Sequence, residues 1–363
     1  MPGEKDKIKE SVGFDSENNR SASYFLNNNQ LETSTVRDAF RDKIEMMDLK
    51  KAIEKYSWLK DYRWKAVPAN KDEITQAVAE NYDGGYFIRV LPNARVTLPL
   101  QSCMMISGSE YDQKVHNIII VEENADVQII TGCVSHSVTG KAKHLGISEF
   151  FVKDNARLNF TMIHNWNSET VVRPRSAAKL GKNSHFISNY VMLNPVKDLK
   201  MYPVAYCDGE NSRVSFNNLI YCANNSHIDT GSKIVLNGKN SRGEIISRNI
   251  AKDNSTTIAR GFLEGNNQSK GHLECKGLLM GSKAKIHAIP EILSNTELAD
   301  LSHEAAVGKI AEKEITYLMS RGLTEEQAIS MIIRGFMDVS IFGLPEALNN
   351  QIKKIMDSVT GGF

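Results

Sequence analysis

From residue 84 onward, the chain alternates between short apolar segments and small polar clusters. Segments such as YFIRV, HNIIIV and ADVQII have the length and composition of single β-strands. Polar clusters of the type GKNS recur at intervals of 28, 28 and 29 residues, centred on Asn155, Asn183, Asn211 and Asn240. Asparagine tolerates the left-handed conformation of tight turns, so these clusters mark a structural repeat.

An interval of 28 residues accommodates two strands and two turns. Such a repeat predicts a parallel β-helix, in which successive coils stack and share one interior. A β-sandwich is the alternative. A sandwich has no reason to repeat GKNS-like turns in register, so the β-helix is preferred.

Helical spacing precedes this region. Val36, Phe40, Ile44 and Met47 recur every three or four residues and predict one helix. A second short helix is predicted over Asn70–Asn81. The N-terminal region is therefore expected to be a small helical module.

Helical spacing also follows the repeats. A first helix would run from Val307 to a glycine cap at Gly322. Thr324 and Gln327 form a capping box for a second helix, and Pro345 is placed to start a third. Three amphipathic helices are thus expected to close the chain.

These patterns predict a mainly β protein with a parallel β-helix core between an N-terminal and a C-terminal helical region. We divide the chain into a flexible N-terminal segment (1–34), a helical region (35–83), the β-helix core (84–292) and a C-terminal helical domain (293–363).

The net charge and the lengths of the apolar runs limit the kinds of partner that the protein is expected to bind. Lys plus Arg total 44 and Asp plus Glu total 43, which gives a net charge of +1. No large field therefore favours nucleic acid or an anionic membrane, although a local basic patch remains open. No apolar run approaches the roughly 20 residues that span a bilayer. We expect a cytoplasmic protein without a membrane partner.

The five cysteines are widely spaced and form no CxxC pair. This pattern favours free thiols in a reducing compartment over disulfides or a structural zinc site. Cys103, Cys207 and Cys222 belong to no recognisable motif and are expected to pack as small buried side chains.

Cys275, His303 and Glu304 are the candidate ligands for a borderline metal such as iron. Each has a simpler interpretation. Cys275 alternates with Leu273, so it could be a buried hydrophobe. His303 and Glu304 follow Ser302, a suitable N-cap, so they could be first-turn residues of a helix.

Several short motifs resemble the SufB/SufD family, the scaffold proteins of the SUF system for iron–sulfur cluster assembly, and SufB more closely. The resemblance covers the chain from about Tyr82 onward. Its motifs are Gly132-Cys133, Asn165-Trp166, Cys275 with the following GLLMG, Ala288–Pro290, Ser302–Ala305 and Leu318–Ala328.

The resemblance implies a right-handed parallel β-helix that acts as a scaffold rather than an enzyme. Cys275, His303 and Glu304 would hold the iron of a transient iron–sulfur cluster at a dimer interface, with His272 and His287 as secondary ligands. We expect a homodimer, and a heterodimer with a paralogue stays open. ATP hydrolysis would belong to a separate SufC-like ABC ATPase bound to the C-terminal helices. The sequence leaves flavin involvement and the cluster type open.

Cys133 lies in ITGCVSH, which resembles the EGC-x-A-P element of SufB. In that family its cysteine accepts sulfur from a cysteine desulfurase or another donor. Here Thr131 replaces the glutamate, and Ser135-His136 replace Ala-Pro. His136 or His144 could lower the pKa of the Cys133 thiol. Structural packing is the competing interpretation.

Two other functions stay open. A SufD-like protein would position the ATPase without ligating the cluster. A β-helix enzyme that cleaves polysaccharides would need paired carboxylates. Asp126, Asp154, Asp208 and Asp253 instead fall one at a time at predicted turns.

Overall fold

Two β-sheets wind together into a parallel β-helix of about seven turns, with helices toward both ends of the chain. The computed structural model describes residues 4–14, 19–108, 110–136, 140–192, 194–338 and 349–350. None of the helices within these ranges is long and apolar enough to cross a bilayer.

The strands are, in chain order, β1 (Ala22–Asn27), β2 (Gln30–Val36), β3 (Ile44–Asp48), β4 (Tyr86–Val90), β5 (Leu100–Ser107), β6 (Asp112–Val121), β7 (Asp126–His136), β8 (Lys143–Val152), β9 (Arg157–Asn165), β10 (Val171–Val172), β11 (Arg175–Leu180), β12 (His185–Met192), β13 (Asp198–Met201), β14 (Val204–Cys207), β15 (Arg213–Cys222), β16 (His227–Leu236), β17 (Ser241–Lys252), β18 (Thr256–Gly265), β19 (Ser269–Met280), β20 (Lys285–Ser294) and β21 (Ala299–Gly308). The α-helices are α1 (Glu4–Glu10), α2 (Leu49–Lys55), α3 (Glu73–Glu80), α4 (Glu312–Met319) and α5 (Glu325–Phe336), and short 3₁₀ turns occupy Asp38–Phe40 and Ser57–Asp61.

Each coil contributes one strand to each sheet. Sheet 1 has the order β2-β1-β5-β7-β9-β12-β15-β17-β19-β21. Sheet 2 runs from β3 through β4, β6, β8, β11, β14 and β16 to β18 and β20, while β10 and β13 add short pairings beside β8 and β16. Successive coils pair in parallel and in register, so equivalent positions stack along the axis of the β-helix.

Asparagine turns hold the coils in register. Asn155, Asn183, Asn211 and Asn240 all have positive φ, between 53° and 59°. Their side chains also form a ladder, because Asn183 Nδ2 donates to Asn155 Oδ1 at 3.0 Å and Asn211 Nδ2 donates to Asn183 Oδ1 at 3.1 Å. The predicted repeat and its turns are thus confirmed.

Asn183→Ala is expected to lower the free energy of unfolding by about 1–2 kcal/mol, because alanine is strained in the left-handed conformation. The substitution also removes two hydrogen bonds of the ladder. Asn183→Gly is the matched control, since glycine loses the same bonds without the strain. Urea unfolding would measure both variants. Equal losses for alanine and glycine would contradict the role given to the backbone.

The N-terminal region contains strands where a helix was predicted. The predicted helix over residues 36–47 is wrong, because Val36 ends β2 and Ile44 begins β3, which pairs antiparallel with β4. Ile44 and Met46 are buried on one face of β3, so their apolar spacing serves a short strand. β1 also lies in the segment expected to be flexible and pairs with β5. The helix predicted over 70–81 is confirmed as α3.

The C-terminal helices begin later than predicted. β20 extends to Ser294 and β21 occupies Ala299–Gly308, so the helical part starts at Glu312. β21 pairs in parallel with β19 and so adds one more strand to sheet 1. The capping box of α5 and the positive φ of 95° at Gly322 are confirmed. The third helix predicted from Pro345 lies outside the described residues, and the division into four domains stays a prediction.

Terminal segments cover parts of both outer faces. α2 and α3 pack on the outer face of sheet 2, where Leu49 and Val78 join a cluster with Ile118. On sheet 1, Ile333 of α5 joins a separate apolar cluster that includes Leu278. The outer face of the final coils is therefore partly covered by the C-terminal helices, whereas every residue of the last strands β20 and β21 is partly or fully exposed in the described part of the chain.

Candidate functional site

Cys275 lies near the last coil of the β-helix and faces its interior. It sits in β19, is 1% exposed and belongs to the main core. Its register neighbours are Ser247 on β17 and Ala305 on β21. Burial raises the pKa of the Cys275 thiol to about 11, and Glu274 contributes to the rise. The thiol is therefore protonated at neutral pH.

His303 and Glu304 lie on β21, so the alternative interpretation of them as first-turn residues of a helix is wrong. Successive side chains of a strand point to opposite faces. His303 is in register with Leu273, a core residue, and so shares the inner face with Cys275. Glu304 is in register with Glu274 on the outer face, with its Oε1 4.0 Å from Lys276 Nζ. The structure thus places His303 on the same face as Cys275 and Glu304 on the opposite face.

No described residue pairs with the end of the β-helix beyond Cys275. β20 and β21 each have a single strand partner in their sheets within the described part of the chain. Large apolar side chains are exposed there, with Leu298 at 59% and Leu293 at 43%. Cys275 lies one strand below this edge, whereas His303 is itself exposed.

Within the described ranges, no three His, Cys, Asp or Glu side chains lie close enough to hold a metal ion. Cys275 and His303 together are too few for an iron–sulfur cluster, which usually has four protein ligands. A cluster held at these two residues would therefore need ligands from a second molecule or from a rearrangement.

Cys133 occupies the inner face of β7, five strands before β19 in sheet 1. It is 1% exposed, and its Sγ lies 3.6 Å from Met162 Sδ. Burial raises the pKa of the Cys133 thiol well above its usual value, with Cys103 as a second cause. The expected lowering by a histidine is wrong for His144, because burial lowers the pKa of His144 to about 4 and leaves its ring neutral.

A continuous line of inward-facing side chains connects the regions of the two cysteines, and we call it the inner file. Each member is in register with the next, and all but Met162 and Tyr190 are at most 4% exposed. The inner file consists of Thr131, Met162, Tyr190, Asn218, Ser247 and Cys275. Cys133 joins it through the contact with Met162.

The inner file is richer in hydroxyl, amide and sulfur groups than an ordinary core. Sequence reasoning missed it, although its members are separated by 28 to 31 residues and could have been found by following one position from coil to coil. At an interstrand distance of about 4.8 Å, five steps from β7 to β19 span about 24 Å.

A small cavity adjoins the middle of the inner file. It has a volume of about 50 Å³ and is lined by Met162, Tyr190 and Asn218 on one side and by Ser148 and Ser176 on the other. Tyr190 is fixed by a 2.8 Å hydrogen bond between its hydroxyl and His164 Nδ1. Small side chains on sheet 2 thus leave space opposite the file.

The comparisons with known proteins agree with this architecture. Residues 104–336 match the family model described as the SufBD core domain of SUF system FeS cluster assembly. The chain belongs to the SufBD family. It therefore has a role in iron–sulfur cluster assembly by the SUF system.

Three SufBD relatives illustrate the similarity. An iron–sulfur cluster assembly SufBD family protein of Methanothermobacter thermautotrophicus is 44% identical over 368 residues, which cover 100% of this chain and 89% of the relative. A SufBD family protein of Archaeoglobus fulgidus is 46% identical over 356 residues, covering 98% and 94%. The iron–sulfur cluster assembly protein SufB of Bacillus subtilis is 29% identical over 308 residues, covering 82% and 65%.

The other candidate cysteines and histidines of this SufBD chain are either buried or lie on the outer face of the β-helix. Cys103, Cys207 and Cys222 are buried, as expected. His272 and His287 lie on outer-face positions of β19 and β20, and His272 Nδ1 is 3.0 Å from Ser302 Oγ. Neither histidine shares the face of Cys275.

The turn aspartates of this SufBD chain stabilise its turns. Asp154 Oδ1 accepts the Lys182 backbone N–H at 2.7 Å, and Asp253 Oδ2 accepts the Asn224 backbone N–H at 3.0 Å. Carboxylates used in this way are not paired across a cleft, as glycosidases require. The polysaccharide-cleaving alternative gains no support from them.

Proposed function

We propose that this SufBD protein is a SufB-like scaffold that accepts sulfur at Cys133 and builds a transient iron–sulfur cluster at Cys275. The observation that carries the proposal is the inner file, which connects the surroundings of both thiols through one buried interior. Iron and sulfur are cargo in this scheme, and the chain itself needs no catalytic group.

Sulfur would enter as the outer sulfur of a donor persulfide, for which a cysteine desulfurase is the expected source. The Cys133 thiolate attacks that sulfur, a Cys133 persulfide forms, and the donor leaves as a thiolate. Burial opposes the thiolate, because the pKa of Cys133 is raised. The donor therefore has to expose or deprotonate Cys133 when it docks.

Pairing of two subunits through β20 and β21 would complete the cluster site. An unpaired strand edge is a template for association, and the exposed Leu293 and Leu298 add apolar area. A two-fold axis near this edge would bring a second Cys275 and a second His303 to the first. Glu304, on the opposite face, would have to contribute from the partner or after a rearrangement. A homodimer satisfies this geometry, and so does a heterodimer with a paralogue.

The C-terminal helices offer a surface for a SufC-like ABC ATPase. Tyr317 and Met319 of α4 and Met331 of α5 are 58%, 44% and 50% exposed. Met337 is buried, so only Met319 and Met331 offer methionine side chains to a partner among the described residues of these helices. Flexible thioethers suit a surface that adapts to a partner. A cytoplasmic location remains part of this proposal.

Persulfide mapping tests the proposed route. Ser247→Leu would fill the inner file next to Cys275, and Ser247→Ala is the matched control that leaves the space open. After incubation with a desulfurase and cysteine, mass spectrometry should find persulfide on Cys133 in both variants. Because sulfur exchange depends on access, we expect Cys275 persulfide to fall about tenfold in Ser247→Leu alone.

The folded state of both variants would be checked by circular dichroism, since leucine adds volume to the core. Undiminished persulfide on Cys275 in a folded Ser247→Leu protein would show that sulfur reaches Cys275 from outside. That result would refute the interior route.

A SufD-like role is the second candidate. It is favoured by the protonated state of both thiols and by the placement of Glu304 away from Cys275. In that role the chain would dock the ATPase while another subunit supplies the cluster ligands.

A further inference from the structure

Five successive strands of sheet 1 carry a basic side chain at the same outer-face position. The residues are Arg157 on β9, His185 on β12, Arg213 on β15, Arg242 on β17 and Lys270 on β19. Each pairs in register with the next, so the side chains stack parallel to the axis of the β-helix. At about 4.8 Å per strand, the row is about 19 Å long.

Like charges placed directly opposite on neighbouring strands destabilise a sheet. Burial lowers the pKa of His185, and the adjacent Arg213 and Arg157 lower it further. The histidine therefore remains neutral between two permanent cations. Asp126 on β7 and Asp300 on β21 occupy the same position at the two ends of the row.

The arginines of the row differ from those of sheet 2 in lacking carboxylate partners. Among the described residues, Arg157, Arg213 and Arg242 form no salt bridge, and only Lys270 reaches an aspartate, with its Nζ 3.5 Å from Asp300 Oδ2. On sheet 2, by contrast, Arg173, Arg175 and Arg260 are each held by an aspartate.

Four members of the row, from His185 to Lys270, form one side of a groove of about 440 Å³ on the outer face. The other side of the groove is formed by the outer-face position two residues further along each strand. The side chains at that position are polar: Ser215 donates to Glu244 at 3.1 Å, and His272 contacts Ser302. We call this feature the basic groove; its remaining lining residues are His185, Arg213, Arg242, Lys270 and Asp300, with Val214, Gly243 and Gly271.

We propose that the basic groove binds an extended acidic segment of a partner protein. Guanidinium groups bind carboxylates in a bidentate manner, and Arg213 and Arg242 of the groove, which form no salt bridge with a described residue, are available for this. An extended segment of about six residues spans 19 Å, the length of the row. This inference is independent of the cluster site, because the groove is on the outer face and Cys275 is on the inner face.

The lining favours a peptide over nucleic acid. Sites for single-stranded nucleic acid combine cations with aromatic side chains that stack on bases. The described lining of the basic groove contains no Phe, Tyr or Trp. Glu244 and Asp300 would also repel a continuous phosphate backbone, whereas a peptide can place its carboxylates between them.

Fluorescence anisotropy with the full chain tests this proposal. The probe is a fluorescein-labelled decapeptide of alternating glutamate and serine, and an oligonucleotide of equal charge is the comparison. We expect the peptide to bind, with an affinity that falls as salt is added. The double variant Arg213→Gln/Arg242→Gln should lose about tenfold or more in affinity, since it removes two charge-assisted contacts.

Lys179→Gln/Lys200→Gln is the matched control, because it removes two exposed cations from strands of sheet 2, on the other side of the β-helix. It should change affinity by less than about twofold. The groove variant should also keep its thermal midpoint, since it relieves repulsion between stacked cations.

Three results would overturn the proposal: failure of the unmodified chain to bind the peptide, equal losses in both double variants, or tighter binding of the oligonucleotide through the same arginines. The last result would identify a phosphate-binding groove instead. The first depends on no variant, so the test holds even if a substitution prevents folding.

Discussion

Cys275→Ser is expected to abolish the cluster that accumulates on the protein when it is purified anaerobically with its ATPase and supplied with iron and sulfur. Serine keeps the size of the side chain but removes the thiolate, the ligand that iron–sulfur clusters prefer. Because no three metal-binding side chains cluster among the described residues, no neighbour can replace it. Iron and sulfide analysis with an absorption spectrum would measure the loss.

Cys222→Ser is the matched control. Cys222 is also buried in the interior, and its Sγ lies 3.1 Å from Ser226 Oγ, so a hydroxyl can take over that contact. This control should retain the cluster. If Cys275→Ser also retained it undiminished, Cys275 would not be a ligand, and the SufD-like role would be the better description.

Cluster binding at Cys275 would require both loss of the thiol proton and access to a buried side chain. A thiol with a pKa of about 11 must lose its proton when iron binds, so metal binding and deprotonation are coupled. β21 separates Cys275 from the open edge. Cluster formation at Cys275 therefore requires a movement of this end strand or a partner that reaches past it, and an ATPase is a suitable source of such a movement.

The fold could largely be predicted from the sequence because recurring turn residues mark the repeat. The asparagine clusters at 28-residue intervals correspond to left-handed turns, and their register follows from equal coil lengths. The terminal regions were harder, because a short apolar spacing fits either a helix or a strand. Ile44 and Met46 alternate in β3, and Val307 belongs to β21. Only the pairing with neighbouring strands decides between these states.

The candidate site was only partly predictable. Cys133 and Cys275 were identified as separate residues, but their connection through the inner file depends on which positions of distant strands share a register. The placement of His303 and Glu304 depended on the same question, since a strand sends them to opposite faces and a helix does not. Strand register is a property of the whole coil, so a local motif does not contain it.

Glu149 is a buried carboxylate that sequence reasoning did not single out. It lies in β8 and is fully buried on the outer face of sheet 2. Its Oε1 accepts the Trp64 backbone N–H at 2.6 Å, and its Oε2 accepts those of Ala66 and Val67 at 2.7 and 3.1 Å. His116 Nε2 lies 2.9 Å from Oε1. A single glutamate inside the apolar run ISEFFV was the available signal.

Glu149→Ala is expected to lower the free energy of unfolding by about 3–5 kcal/mol, because it leaves several buried hydrogen-bond donors without an acceptor. Trp64 has a positive φ of 61°, so the carboxylate also stabilises a strained backbone. Glu149→Gln keeps one oxygen acceptor and should lose less. Urea unfolding followed by tryptophan fluorescence would report the change, since Trp64 lies at the affected contact.

Glu264→Gln is the control for this experiment, because Glu264 pairs with Lys233 outside the core, where both side chains are partly exposed and such pairs contribute about 1 kcal/mol. A loss for Glu149→Ala no larger than that of Glu264→Gln would contradict the role of Glu149. If the large loss is observed, the carboxylate is what fastens the segment after Ser57–Asp61 to sheet 2. This segment would then be held to sheet 2 by the hydrogen bonds of one buried carboxyl group as well as by the apolar packing around it.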